Sequence, residues 1–199
     1  MINVIENNKK LIENHPYLLP RNVFSDEVRG DYNYEFTWYD DIPEGWRIAF
    51  GEFLLEDLRD ALLKTNYLDR FRLFDVKEKY GSLRIYCNAA TQEVHDVIRK
   101  YEYISQYICF NCGSPHACVV NDYGWYLPLC EECWNKQNIE RQEKGHRIMS
   151  YEEAGGKIYE LPNSYTVVKY SNGEEKEITY DISETVNKIK KAYSERKDV

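Results

Sequence analysis

Four cysteines carry the clearest chemical signal in this chain: Cys109-Phe-Asn-Cys112, followed by Gly113, and Cys130-Glu-Glu-Cys133, with seventeen residues between the two pairs. Each C-x-x-C pair grips one side of a metal ion through a tight turn, and the interval is long enough for a hairpin that folds the second pair back onto the first. The expected ligand set is therefore Cys109, Cys112, Cys130 and Cys133 around a structural Zn2+. An iron site of rubredoxin type and a redox dithiol compete with this reading. Bulky Trp134 directly after Cys133 argues against the first, and two pairs converge better on one ion than on thiol exchange. Cys118 and His116 lie between the pairs but belong to neither knuckle. If one of them replaced a ligand, an open coordination position and catalytic zinc would return.

Catalytic groupings are sparse elsewhere. A metal-dependent nuclease built on such a finger needs a histidine pair, or histidine with aspartate, on the hairpin to hold a second metal. The nearest candidates are His116, Asn121 and Asp122, and the interval between the cysteine pairs is short for an inserted catalytic hairpin. His15, His95, His116 and His146 are scattered without triad or ligand spacing, and Gly155-Gly156 lacks the Lys-Ser/Thr of a phosphate loop. No catalytic residue is assigned. A second, weaker cluster joins Lys77, Lys79 and Arg84 with Tyr80, Tyr86 and Trp125, and with Arg99 and Lys100 further on. It lies in residues 71–108, which hold six basic and five acidic side chains and form the only net-positive stretch. Such a set suits an anionic ligand, with Lys77, Lys79, Tyr80, Arg84 and Trp125 as the candidate contacts, and a solvated cationic face is the plainer alternative.

The elements that must position these groups are legible in part. Asp41-Ile-Pro43-Glu44 reads as a capping box, and Trp46, Phe50, Phe53, Leu54, Leu58, Ala61 and Leu62 predict an amphipathic helix over 42–64. Phe71 to Val76 and Leu83 to Cys87 bracket Lys79-Tyr80-Gly81-Ser82 as a hairpin. A two-residue Tyr80-Gly81 loop would place Val76 opposite Ile85 and Phe74 opposite Cys87, with Cys87 acting as a small hydrophobe. A second helix begins near Asn88 or Thr91 and carries Val94, Val97, Ile98, Tyr101, Ile104 and Ile108 into Cys109, so the finger is mounted on a core helix. Residues 131–144 read as helix, which gives a treble-clef-like finger, with a zinc ribbon as the alternative. Strands 165–171 and 174–180 meet at Asn172-Gly173, a preferred type I′ turn, with Val167 opposite Ile178 and Tyr165 opposite Tyr180. Asp181-x-x-Glu184 then caps a last helix with Ile182, Val186, Ile189 and Tyr193 in one stripe. At the other end, residues 2–14 predict a short helix, and 16–41 an aromatic-rich extended chain over the core.

The expected fold is α+β: a helix–hairpin–helix core over 1–108, a zinc finger over 109–147, and a C-terminal hairpin and helix over 148–199 packed on the core. Hydrophobic residues are 43% of the 199, which supports a folded core, and the formal charge of −8 runs against a phosphate-binding stripe. The first residues lack an apolar leader, no run approaches a membrane span, and thiols kept for metal imply a reducing compartment. Cytoplasmic residence without a membrane partner follows as the expectation.

Pro43-Glu44-Gly45-Trp46, then Lys77-Glu78-Lys79-Tyr80-Gly81-Ser82-Leu83-Arg84, then Tyr101 and Ser105 leading into the two cysteine pairs, give the chain a resemblance. Over roughly residues 40–135 it resembles a family of small bacterial and phage-encoded proteins of uncharacterised activity with a four-cysteine zinc finger. The resemblance implies a zinc-binding phage or prophage accessory protein acting in the host cytoplasm, and it lends no catalytic residue. The expected function is a non-enzymatic protein-binding module that modulates a host machine, because an acidic surface, aromatics and a rigid finger suit protein partners. Binding of nucleic acid or a nucleotide messenger through the cationic hairpin 77–84 is the alternative.

Overall fold

The structure, a computed structural model, describes residues 2–28, 30–171 and 174–197. Helix α1 spans Ile2–Asn14. Residues 16–41 then cross the core largely without regular structure. Buried Tyr17 donates to the Leu55 carbonyl at 3.1 Å, and the Trp38 amide donates to the Leu18 carbonyl at 3.1 Å.

The expected helix over 42–64 forms in three consecutive pieces. A helical turn at Glu44–Trp46 runs into a π-turn at Arg47–Gly51 and then into α2, Glu52–Lys64. The wider turn inserts one residue into the ladder and re-phases the apolar stripe. Trp46, Ala49 and Phe50 are buried before it settles, and Leu54, Leu55, Leu58, Ala61 and Leu62 after it. The expected capping box does not form. Pro43 itself occupies the N-cap position and has no side-chain cap hydrogen bond.

Strands β1 (Leu73–Lys79) and β2 (Ser82–Cys87) make the first hairpin, turning through Tyr80 and Gly81 at φ of 53° and 79°. The two-residue loop is as expected, and its two successive positive φ values make it type I′. Val76 pairs with Ile85, but a bulge shifts the register so that Leu73, not Phe74, faces Cys87. The physical reason is burial. Leu73 and Val76 are both in the core, which strict alternation forbids for residues three apart, and the bulge brings them to one face. Cys87 is half-buried, and burial followed by the charge of Glu102 pushes its thiol up to about 11.

Helix α3, Gln92–Ile104, starts at Thr91, whose hydroxyl caps the Val94 amide. Its inward face is Val94, Ile98, Tyr101 and Ile104, packed on α2, and the Tyr101 hydroxyl donates to Asp57 at 2.6 Å. The other edge of β2 is closed by α3. Leu83 N–H donates to Ser105 Oγ at 2.8 Å, and Ile85 N–H to Glu102 at 3.1 Å.

Strands β3 (Cys118–Asp122) and β4 (Trp125–Leu129) form a second antiparallel hairpin, and α4 covers Glu131–Glu143. Strands β5 (Ser164–Ser171) and β6 (Glu174–Asp181) form the third, followed by α5, Ser183–Lys197. Their register matches expectation, with Val167 opposite Ile178 and Tyr165 opposite Tyr180, while the expected Asn172-Gly173 turn lies outside the described residues. Tyr165 stacks between Tyr180 and Tyr103, with centroids 5.1 and 5.0 Å away, and Val186 and Ile189 enter the main core. Asp181 accepts the Ser183 amide at 2.8 Å at the head of α5.

Two apolar clusters result. The larger joins α2, α3, β1, β2 and α5; the smaller lies under the cysteine pairs and gathers Ala117, Cys118, Val120, Leu129, Trp134, Tyr151 and Ala154. The Glu44–Gly51 run bolts them together. Gly45 donates to the Phe110 carbonyl at 3.0 Å, Trp46 Nε1 to the Ile108 carbonyl at 3.0 Å, and the Trp46 ring meets Phe110 edge-on. A Cβ on Gly45 would stand 2.6 Å from the Phe110 oxygen, against backbone that cannot yield. Gly45→Ala should therefore cost roughly 2–3 kcal/mol in denaturant unfolding. Gly30→Ala, where a Cβ meets nothing within 4 Å, should stay within about 0.5 kcal/mol of wild type.

Candidate metal centre

The first knuckle is a tight turn held by backbone. Cys109 N–H donates to the Ser114 carbonyl at 2.8 Å, Gly113 N–H returns to the Cys109 carbonyl at 3.0 Å, and Gly113 adopts φ +72°. Only glycine takes that conformation without strain, and here a Cβ would also fall 2.6 Å from the Gly45 carbonyl oxygen. Phe110 N–H donates to the Pro128 carbonyl at 2.7 Å, fixing the knuckle to the strand that leads into the second pair. That second pair opens α4 rather than a further hairpin. Cys130 stands at its N-cap position and Cys133 within its first turn. One helical turn thus aims both sulfurs to the same side.

The four sulfurs lie within 4.8 Å of one another, with Cys112 and Cys130 at 3.6 Å. A tetrahedral ion with sulfur bonds of about 2.3 Å requires sulfur–sulfur separations of about 3.8 Å, so the set is arranged to hold a metal ion. The electrostatics agree. Cys109 is held far below the ordinary thiol range by S–H donation from Cys112 and Cys130, aided by the amides of the same two residues. Those hydrogen bonds push Cys112 and Cys130 up, and burial together with the Cys109 charge pushes Cys133 up to about 12. A bound dication would take the place of the thiol protons and let all four sulfurs ionise. Nearby backbone amides favour the ionised form of three of them, Ser114 beside Cys112 and Cys133 beside Cys130 as well as the two beside Cys109.

Surroundings complete the scaffold. Trp134 is fully buried, and its indole N–H donates to the Met149 carbonyl at 2.9 Å. The Tyr151 hydroxyl donates to the Leu129 carbonyl at 2.7 Å. Cys118 and His116 do not join the four. The Cys118 sulfur sits 3.5 Å from the Tyr151 hydroxyl and accepts the Lys157 amide at 3.2 Å, and His116 meets the Tyr193 ring edge-on at 6.1 Å. Asp122 is occupied by Arg141, whose Nη2 reaches both carboxylate oxygens at 2.6 Å, and Asn121 accepts the Gly124 amide at 2.7 Å within its turn.

The candidate cationic contacts divide. Lys77 pairs with Asp75 and Arg84 with Glu102, and further along Arg99 pairs with Asp96 and Lys100 with Asp57. Lys79 lies over the Tyr80 ring, 5.6 Å from its centroid, and has no carboxylate partner among the described residues. Lys79, Tyr80 and Trp125 come together, across a groove that Glu78, Gly124 and Tyr126 complete; Lys77 and Arg84 lie outside it. Glu78 and Tyr126 carried no sequence signal, because only the packing of one hairpin tip against the other recruits them. The Lys-Tyr-Gly-Ser-Leu-Arg run owes much to that packing. A Cβ on Gly81 would stand 2.6 Å from Val119 Cγ1, and Ser105 caps Leu83.

No helix is long and apolar enough to cross a membrane among the described residues. No family model, curated protein or solved structure matches the chain.

Elemental analysis of the purified protein should find close to one metal ion per chain, lost in Cys130→Ser. Binding displaces thiol protons, so release to a chromophoric chelator should accelerate as pH falls. Removal at neutral pH should abolish the near-ultraviolet circular dichroism contributed by buried Trp134 and lower unfolding stability by at least about 3 kcal/mol.

Proposed function

We propose that the chain is a non-enzymatic protein-binding module in which Cys109, Cys112, Cys130 and Cys133 hold one structural Zn2+ in a finger of treble-clef type. The observation that carries the zinc reading is the closed donor set: four cysteine sulfurs within 4.8 Å of one another, with no fifth donor group among the described residues. Four protein ligands leave no position for substrate or water, the arrangement of a structural ion. Zinc suits four thiolates in tetrahedral array better than hard cations do. A knuckle, then β3–β4, then a pair opening α4 supports treble clef over ribbon.

Protein binding is supported by what the finger displays. Tyr80 and Trp125 are each 75% exposed on adjacent hairpin tips, while most cations nearby are spent on carboxylates. Large aromatics without surplus positive charge are the composition of a protein interface rather than of a phosphate-tracking surface. A host-cell protein as partner follows the resemblance to phage-encoded chains and is part of the same proposal.

Immobilised wild type and a Tyr80→Asn/Trp125→Ala variant, both zinc-loaded, should be compared on nuclease-treated bacterial lysate. A stoichiometric protein retained by wild type and lost by the variant is the expected result. Retention of nucleic acid or a nucleotide alone, with no protein band, would reverse the reading.

A further inference from the structure

The cysteine cluster is not equally sheltered on all sides. Cys109 and Cys130 are buried and Cys133 is half-buried, while Cys112 is exposed. Cys112 therefore carries the sulfur that a proton or a competing chelator meets first. Four thiolates around a dication leave two negative charges in excess, and Glu131 and Glu132, between the cysteines of the second pair, add to them. The exposed corner of the centre is thus in need of positive charge.

The end of α5 brings it there. A helix carboxyl end carries partial negative charge, the wrong sign for this neighbourhood, and α5 reverses it with Arg196 and Lys197 in its last turn. Three contacts seat that turn. Arg196 Nη1 donates to the Ile48 carbonyl at 3.0 Å, within the π-turn. The π-turn itself abuts the knuckle, since a Cβ on Gly113 would stand 3.3 Å from Ala49 Cβ. The Tyr193 ring meets His116 edge-on, with centroids 6.1 Å apart, and Lys197 Nζ lies 5.1 Å from the Tyr193 centroid. Hydrogen bonding to Tyr193 raises the pKa of the Lys197 ammonium, and the charges of Glu132 and Cys112 reinforce the shift.

We infer that the last turn of α5 is an electrostatic clasp, in which Lys197, seated on Tyr193, slows loss of the metal ion at Cys112; the inference rests on the structural-zinc reading above. A cation beside a thiolate favours its ionised form and so opposes the protonation that accompanies metal release. Lys197 acts through the sulfur and not on the ion. A solvent-facing lysine that served solubility alone would be interchangeable with others on the same helix. Lys191, exposed and paired with Glu195 at 3.8 Å, supplies that comparison.

The test times zinc transfer from the loaded full chain to a chromophoric chelator at neutral pH. Wild type is compared with Lys197→Glu, Lys197→Arg and Lys191→Glu. Lys197→Glu should release zinc about fivefold faster at low salt, the scale of an exposed charge interaction, and the difference should vanish in molar salt. Lys197→Arg and Lys191→Glu should both stay within about twofold of wild type. With zinc bound, iodoacetamide should modify Cys112 ahead of the other three cysteines. Both lysines are exposed, so the substitutions leave the core intact, and unchanged near-ultraviolet circular dichroism verifies this. Release from Lys197→Glu within about twofold of wild type, equal acceleration in Lys191→Glu, an effect indifferent to salt, or first modification at another of the four would each overturn the clasp. A wild-type chain that holds no zinc would overturn it together with the structural-zinc reading, whereas zinc released at one rate by every variant removes the clasp and leaves that reading standing.

Discussion

The structure hangs on the close approach of two backbones, the turn at Gly45 and the cysteine knuckle at 109–113. Gly45 N–H reaches the Phe110 carbonyl, Gly113 tucks beneath the Gly45 carbonyl, and Trp46 donates to Ile108 just before Cys109. No side chain fits in that contact. Its consequence is that the first knuckle is continuous with the main core on both sides, through α3 behind it and the Glu44–Gly51 run above it. The π-turn belongs to the same constraint. It gives the helix the extra residue needed to place Trp46 on the knuckle and still bury the Leu54–Leu62 stripe.

Charge obeys a similar economy. An acidic chain brings four cysteine sulfurs within 4.8 Å of one another, where thiolate charge calls for a compensating cation. Buried Trp134 and Tyr151 back that cluster. Elsewhere, Asp57 binds both Lys100 and the Tyr101 hydroxyl, and Asp122 closes on Arg141 between the rings of Tyr123 and Trp134. These pairs sit at element junctions, where their geometry matters more than the small free energy of a solvent-facing ion pair.

The two hairpins that flank the metal centre play opposite parts along their length. Their bases are absorbed into packing, with Leu83 and Ile85 amides capped by α3 and Val120 and Leu129 buried under the cysteines. Their tips extend beyond it and carry aromatic rings into solvent at a fixed spacing. A groove between rigid turns follows from the wedge of Gly81 against Val119.

Much of this was written in the sequence. The four clustered cysteines were legible because metal coordination demands a residue type at a fixed local spacing, and the helices and hairpins because burial imposes periods of 3.6 and 2. The Tyr80-Gly81 turn was legible because positive φ selects glycine beside it. Tertiary structure decided what local pattern cannot encode. The bulge that turns Leu73 inward, the π-turn in the first core helix, and Pro43 standing where a capping box was expected all answer to packing between elements distant in sequence. The same holds for the cations. Lys77, Lys79 and Arg84 look alike as a run, and only the neighbours supplied by folding, Asp75, the Tyr80 ring and Glu102, separate them. A sequence states which side chains carry charge or an aromatic face, but partners across space decide which of them remain available, because pairing free energy falls off within a few ångströms.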